Sequence, residues 1–330
     1  MRQFTKIFLQ VLLIAGIFGF LFWSAATATD DDGKNIFVVL CEQPKRWHFL
    51  AAAFVVQFFA VCLTIIRWRW LVRTLGLECS YKEAFRFGFL GIMLNLAPLG
   101  IVGGDAIKAV LLAQRNPDYK SQAVASVFID RFVGLFIMFL LGLYLIYHTG
   151  FNVRPEFSAQ TLIHIIVICT LASLTVAILP FFSFFSKGHF ESILEKIPLC
   201  GKLLGKLTRA LLLYRHHKWC LLLCSLFTIP VHFCFGLSLY WVAIALFPAV
   251  PDAVTHIMLH STTNITTMIP LAAGPYELVF EQLYQLYGMN VGMGLIVSLM
   301  FRLIIISVAV AGMFYYYGAV FRWRADDLGT

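Results

Sequence analysis

Four charged side chains stand inside otherwise apolar stretches of this sequence, at repeated spacings. Asp105 is followed after 26 residues by Arg131, and Glu277 is followed after 25 residues by Arg302. A charge inside a bilayer is costly, so such residues usually face a protein interior or a polar cavity and mark a functional site. A buried arginine also needs an anion, which a carboxylate or a phosphate can provide. The two sets therefore predict an intramembrane polar site.

Other polar residues accompany these two sets. Asp130 directly precedes Arg131, and because neighbours on a helix point about 100° apart, the two side chains need separate partners. Lys108 follows Asp105 by one turn. Asp105 is a candidate N-cap of the helix from Ala106 and a candidate carboxylate facing the pocket, and the two roles are compatible. The residues that we expect to bind and translocate a substrate are Asn95, Gly103, Gly104, Asp105, Lys108, Asp130, Arg131, Asn264, Glu277 and Arg302.

The residues before each acid interrupt a hydrophobic segment. In the stretch 95–105, Pro98 and three glycines oppose a continuous helix, and Pro98 stands seven residues before Asp105. Pro270 likewise stands seven residues before Glu277. Non-helical backbone is tolerated at membrane depth only where protein surrounds it or where it lines a cavity. Such paired breaks predict two re-entrant hairpins that meet at a transporter-type site near the bilayer midplane.

Composition places the whole chain in a membrane. Hydrophobic residues make up 60% of its 330 residues and charged residues 13%, and the mean hydropathy is +0.84, outside the range of soluble domains. Several stretches without Asp, Glu, Lys or Arg reach the roughly 20 residues that a spanning helix requires. We predict an all-α polytopic membrane protein with about six spanning helices and two re-entrant broken hairpins. Three crossings separate the hairpins, so they enter from opposite faces as an inverted repeat.

The predicted organisation is a single integral membrane domain over residues 1–330. Its parts are an N-terminal anchor helix (1–29), a first repeat half (47–148), a cytoplasmic amphipathic connector (187–218) and a second repeat half (219–320). Ala26-Thr27-Ala28 resembles a signal-peptide cleavage site, but the apolar run from Ile7 to Trp23 is longer than usual for a signal, which favours a retained anchor. The connector alternates apolar and basic residues, which favours helices on a membrane surface over a solvated linker.

Lysine and arginine set the predicted orientation. The net charge is +8, and most of the 25 Lys and Arg residues fall in loops that one orientation places in the cytoplasm. Both termini are then cytoplasmic, and the basic charge is a topology signal that requires no nucleic-acid partner. Arg67 and Arg69 alternate with Trp68 and Trp70 at the inner end of a span. We interpret this pattern as an interfacial anchor rather than a lipid headgroup site.

Metal and cofactor chemistry finds little support in the sequence. Cys220 and Cys224 share a helix face, as do His256 and His260, but two ligands do not complete a zinc site. The nucleotide-binding motif Gly-x4-Gly-Lys-Ser/Thr does not occur. We therefore expect no cofactor and no metal. A proton carried by a buried carboxylate is a candidate energy source.

Several of these features resemble one known family: Arg67-Trp68, residues 95–105 with Lys108, Asp130-Arg131, and Pro270 to Glu277 with Arg302. The set is similar, over nearly the whole chain, to the flippase-like transmembrane region of lysylphosphatidylglycerol synthases in its stand-alone form. Leu271 and Ala272 stand where that family usually has glycines. The resemblance implies a multi-pass protein of a bacterial-type cytoplasmic (inner) membrane that moves a lipid between leaflets. The chain stops shortly after its last span, so aminoacyl transfer by a following synthase domain is not expected.

These observations favour a protein that moves a phospholipid or lipid-linked headgroup between leaflets through a charged intramembrane cavity. Arg131, Arg302 and Lys108 would hold a lipid phosphate, and the carboxylates would balance them or bind a cationic headgroup. Two alternatives stay open, an intramembrane enzyme acting on a lipid phosphate and a non-transporting partner subunit whose charges serve helix packing. The expected partners are membrane lipids, and the oligomeric state is left open, a homo-oligomer included.

Overall fold

The computed structural model describes residues 2–29, 33–95, 101–178, 209–210, 212–269, 271 and 273–327. These residues contain eleven α-helices of described bounds and no named strand. The helices are α1 (Arg2–Thr27), α2 (Ile36–Glu42), α3 (Trp47–Thr74), α4 (Tyr81–Asn95), α5 (Ile101–Arg115), α6 (Lys120–His148), α7 (Phe157–Ile178), α8 (Lys218–Leu246), α9 (Ala253–Thr263), α10 (Pro275–Leu286) and α11 (Met293–Asp327). The predicted all-α fold class is confirmed.

Five helices are long and apolar enough to cross a membrane, namely α3, α6, α7, α8 and α11. For example, α3 has 28 residues, which at about 1.5 Å per residue exceeds the ~30 Å of bilayer hydrocarbon. The helix α1 has 26 residues, and its part from Leu12 to Thr27 forms a further apolar segment. The chain is therefore a polytopic membrane protein.

Two pairs of helices between the spans are too short to cross. Helices α4 and α5 have 15 residues each, about 22 Å, while α9 and α10 have 11 and 12, about 17 Å. Helix α4 packs along α5, and their backbones approach so closely that a Cβ added at Gly104 would overlap the Gly91 carbonyl oxygen. A 3-10 turn over Asn264–Met268 continues α9 toward α10. These pairs are the first and second hairpins below.

Gly103 and Gly104 do not interrupt a helix, contrary to our prediction for these two glycines. Helix α5 begins at Ile101, so Gly103 and Gly104 lie inside it. Gly104 instead allows the close approach of α4, because it lacks a side chain there. The N-cap interpretation of Asp105 is wrong for the same reason, since the residue lies four positions beyond the helix start.

Some predicted features lie outside the described residues. These are Pro98 and Pro270, on which the two predicted breaks centre, and most of the amphipathic connector 187–218. The spanning helices on either side of these residues are described.

The segment between α1 and α3 contains the seven-residue helix α2. Asn35 caps this helix, because its side-chain oxygen accepts a hydrogen bond from the Phe37 N–H at 2.9 Å. The Asn35 amide also donates to the carbonyls of Ala25 and Ala28 at the end of α1. One asparagine therefore fixes the turn between the two helices.

Helix packing involves the same kinds of contact in both halves of the chain. Helices α3 and α8 pack against each other. Helix α3 also packs against α4, α6 and α11, and helix α8 in the same way packs against α9, α11 and α6. Helix α5 packs against α6, as α10 does against α11, while α4 reaches α11 and α9 reaches α6. The hairpins are thus enclosed by spanning helices from both halves, which positions their charged residues inside protein.

Candidate functional site

Arg67 of α3 and Asp130 of α6 form a deeply buried ion pair. The Arg67 Nη2 atom lies 2.9 Å from Asp130 Oδ1, and both side chains are only 5% exposed. The guanidinium also donates to the Asp130 carbonyl oxygen at 3.1 Å and to the Thr228 hydroxyl of α8 at 2.8 Å. The prediction that Arg67 is an interfacial anchor is therefore wrong. Its side chain joins three helices inside the protein.

Arg131 points away from its neighbour Asp130 and pairs with the first hairpin, as the angle between successive helical residues requires. Its Nη2 atom donates to Asp105 Oδ1 at 2.9 Å, and its Nε atom contacts Oδ2. The two parallel contacts make a bidentate pair that joins α6 to α5. The Arg131 side chain is 46% exposed and that of Asp105 is 14% exposed, so the arginine is accessible from outside the helix bundle.

Arg302 and Glu277 form the corresponding pair of the second hairpin. Arg302 Nε donates to Glu277 Oε1 at 2.6 Å, and Nη2 contacts the same oxygen. The other carboxylate oxygen accepts the Gly274 N–H at 2.8 Å, which satisfies the N-cap backbone donor at the start of α10. Gly274 has φ +103°, a conformation that side chains rarely permit. The Glu277 side chain is fully buried and that of Arg302 is 28% exposed.

Lys108 of α5 lies beside the first two ion pairs. The residue is 8% exposed, and its Nζ atom lies 4.4 Å from the centroid of the Trp68 indole ring, a cation–π arrangement. Its charge interacts with the carboxylates of Asp105 and Asp130. Three cations and two carboxylates therefore meet where α3, α5 and α6 come together.

The two predicted asparagines stand where the first helix of each hairpin ends. Asn95 is the last residue of α4, and its side-chain oxygen accepts the Gly104 N–H of α5 at 3.0 Å. Asn264 directly follows α9, and its Nδ2 atom lies 2.8 Å from His260 Nε2. The first asparagine thus holds α4 and α5 together, and the second contacts the end of its own helix.

The histidines and the cysteine pair have protein partners. His256 Nδ1 lies 2.9 Å from the Asp252 carbonyl oxygen, and its Nε2 contacts the Tyr284 hydroxyl. The Sγ atoms of Cys220 and Cys224 lie 4.0 Å apart. In the part of the chain that the structure describes, no three His, Cys, Asp or Glu residues are grouped so that they could hold a metal ion.

The sequence did not reveal the buried roles of two charged residues. One is Arg67, whose partner lies 63 residues away in the chain. The other is Glu281, which accepts the Gly292 N–H at 2.6 Å and the Leu295 N–H at 2.8 Å and so caps the start of α11. The position of Glu281 one turn after Glu277 is the signal that could have identified a second acid facing the protein interior.

The described grooves lie away from these ion pairs. One, of about 290 Å³, runs between Glu42–Arg46 and Ile244–Pro248, and the other, of about 530 Å³, follows α6 from Leu140 to His148. Each acid–arginine pair joins the second helix of a hairpin to the spanning helix that follows it.

Fold and site together define a polytopic all-α membrane protein whose two short hairpins are held by acid–arginine pairs. The family model of the lysylphosphatidylglycerol synthase transmembrane region matches residues 7–312. The chain belongs to this family, and the resemblance seen in its motifs is confirmed. A UPF0104 membrane protein of Methanocaldococcus jannaschii is 26% identical over 142 residues, which cover 41% of this chain and 41% of that protein. No solved structure matches the chain.

Proposed function

We propose that this protein moves a phospholipid, or another lipid with a phosphate headgroup, between the two membrane leaflets. The observation that carries the proposal is that both hairpins bear an acid–arginine contact, Asp105 with Arg131 and Glu277 with Arg302. Each contact joins the second helix of a hairpin to the long helix that follows it. The guanidinium donors that hold a carboxylate are the donors that recognise a phosphate.

In the proposed cycle a lipid phosphate displaces the carboxylate from each arginine. Arg131 and Arg302 are both partly exposed, so a headgroup can approach them from the surrounding lipid. The released carboxylate then binds a proton or the cationic part of a headgroup. Because the acids belong to the hairpins and the arginines to spanning helices, the exchange separates hairpin from helix and opens a polar path.

We further propose that the two halves form an inverted repeat. Exchanging α3 with α8, α4 with α9, α5 with α10 and α6 with α11 converts each contact between these helices into another observed contact. Helices α6, α7 and α8 lie between the hairpins, and all three are long enough to cross. An odd number of crossings places the hairpins on opposite sides of the membrane, so each would serve one leaflet.

The distribution of basic residues supports a cytoplasmic (inner) membrane with both termini in the cytoplasm. In that orientation the first hairpin opens toward the cytoplasm and the second toward the outside.

Reconstitution into liposomes tests the proposed transport. Fluorescent phosphatidylglycerol in both leaflets is reduced from outside by dithionite, and the fraction that becomes accessible reports lipid movement. We expect Arg302→Ala to slow this movement about tenfold or more, the loss expected for charge-assisted hydrogen bonds. The control is Lys82→Ala, which removes an exposed lysine near the start of α4.

The same samples separate the competing functions. Movement no faster than in protein-free liposomes contradicts transport and favours a partner subunit whose charges serve packing alone. Release or transfer of the labelled headgroup, detected by chromatography of the extracted lipid, favours an intramembrane enzyme.

A further inference from the structure

Lys108 carries a buried charge whose hydrogen-bonding capacity is unused. The residue is 8% exposed, and its ammonium group makes no hydrogen bond or ion pair with any residue that the structure describes. Its close neighbour is the face of Trp68 at 4.4 Å. An ammonium group has three donors, and none of the described residues accepts a hydrogen bond from them.

The same ring presents a second unused donor. Trp68 is fully buried, and its Nε1–H lacks an acceptor within the described structure. The indole N–H can only donate. Two buried groups that lie against each other thus both require an acceptor, which is an arrangement suited to an anion.

The surrounding charges lead to the same conclusion. Asp130 is occupied by Arg67, and Asp105 is held by Arg131 through both of its oxygens. Lys108 is therefore the third cation beside two engaged carboxylates. A buried excess of positive charge is stabilised by a bound anion.

The second half lacks this feature. Phe280 stands three residues after Glu277, at the position that corresponds to Lys108, and it is fully buried. Three residues after the acid thus stands a cation in the first half and an aromatic ring in the second. The excess charge is confined to the first hairpin.

The packing of α4 accommodates the lysine stem. A Cβ added at Gly91 would lie 2.7 Å from Lys108 Cδ and 2.8 Å from Cγ. A side chain at Gly91 would therefore press on the Lys108 stem without removing its charge, and it would also lie 3.2 Å from the Gly104 carbonyl oxygen.

We propose that Lys108 Nζ and Trp68 Nε1–H form a binding site for one phosphate group, and that the exposed Arg131 lies at its entrance. The inference rests on the proposed function, since it identifies where the first hairpin holds the phosphate of the transported lipid. The site takes either a lipid phosphodiester or a free phosphate, because both offer the same oxygen acceptors.

Binding is measured by native mass spectrometry of the purified full chain with added phosphatidylglycerol. We expect Lys108→Met to weaken binding about tenfold, as for the loss of one charge-assisted hydrogen bond. Trp68→Phe keeps the ring face for the cation and removes only the N–H, so a loss of a few-fold is expected. Lys82→Met, at an exposed lysine of α4, is the matched control and retains wild-type affinity.

Thermal stability separates binding from a packing role. Removing an unpaired buried cation leaves the melting temperature of Lys108→Met unchanged or higher, because two balanced ion pairs remain. A variant that loses binding and stability together overturns the proposal. Wild-type affinity in both Lys108→Met and Trp68→Phe also overturns it, and so does Gly91→Ala with unchanged affinity.

Two further arms identify the ligand and isolate the proposed function. Competition by millimolar inorganic phosphate assigns the site to free phosphate, and persistence of the lipid complex assigns it to the lipid. If wild-type protein binds phosphatidylglycerol through Lys108 but moves no lipid in liposomes, the proposed transport is contradicted and the proposed phosphate site is supported. If Lys108→Met moves lipid at the wild-type rate, the proposed phosphate site is contradicted and the proposed transport is supported.

Discussion

The Arg67–Asp130 pair differs from the other two acid–arginine pairs because both of its side chains are almost completely enclosed. Taking two charges out of water is costly, and their attraction compensates only when hydrogen bonds satisfy the remaining donors. The Thr228 hydroxyl and the Asp130 carbonyl oxygen supply these bonds. The pair therefore depends on three helices being packed together, whereas Arg131 and Arg302 are partly exposed in their pairs.

The buried pair predicts a strong non-additivity between substitutions. Arg67→Met or Asp130→Asn alone leaves one buried charge without its partner, and we expect each to destabilise the protein by about 3–5 kcal/mol. The double variant removes both charges and should recover most of that loss. The measurement is the thermal unfolding midpoint of purified protein by fluorescence-detected size-exclusion chromatography.

Lys34→Met provides the control for this cycle. Lys34 pairs with Glu42 at an exposed position, where an ion pair contributes about 0–1 kcal/mol, so a small shift is expected. Additive losses at Arg67 and Asp130 would show that the two charges do not depend on each other and would contradict the structural interpretation.

At the scale of the helical elements, the first hairpin is defined by contact between glycines. Gly91 and Gly104 bring the backbones of α4 and α5 together, and the Asn95 side chain bridges them by accepting the Gly104 N–H. Small residues allow helices to approach closely where apolar packing against lipid provides no driving force. The hairpin is thus held by backbone proximity at its tip and by the Asp105–Arg131 pair on its side.

Gly104→Ala is expected to disrupt this hairpin. The added methyl overlaps the Gly91 carbonyl oxygen, a backbone atom that cannot move by a side-chain rotation. Overpacking of this kind costs about 1–3 kcal/mol, and it should lower both the thermal midpoint and lipid movement. Gly19→Ala is the control, because no atom lies within 4 Å of a Cβ at this α1 position and alanine favours the helix. A Gly104→Ala variant with the wild-type thermal midpoint and wild-type lipid movement would show that α4 and α5 are not in contact at Gly104.

The sequence predicts the elements better than it predicts their contacts. Spans are visible because about 20 apolar residues suffice to define them, and the acids stand out because charges are rare in such segments. The partner of Arg67 is not visible, since its aromatic neighbours equally suit an interface. The role of Gly104 was misread because glycine serves helix breaks and close helix contacts alike.

At the scale of the whole molecule, the two halves offer their hairpins to different neighbours. Helix α4 packs on α11 of the other half, and α9 packs on α6, so each hairpin is held partly by the half to which it does not belong. Each hairpin therefore shares a packing surface with the half that bears the other acid–arginine pair. This arrangement suits two hairpins that open alternately.

The proposed inverted repeat predicts that the two hairpins are reached from opposite faces of the membrane. The test introduces a single cysteine in place of Lys82, near the start of α4, or in place of Asn290, which follows α10. Both positions are exposed. Both substitutions are made in a variant of the protein from which the native cysteines have been removed. Among these, Cys79 is already a poor nucleophile, because burial and, to a smaller extent, the charge of Glu83 raise the pKa of its thiol to about 11. A membrane-impermeant maleimide added to intact cells should label N290C, while K82C should react only after permeabilisation. Labelling of both cysteines from the same side would place the hairpins on one face and exclude an inverted repeat.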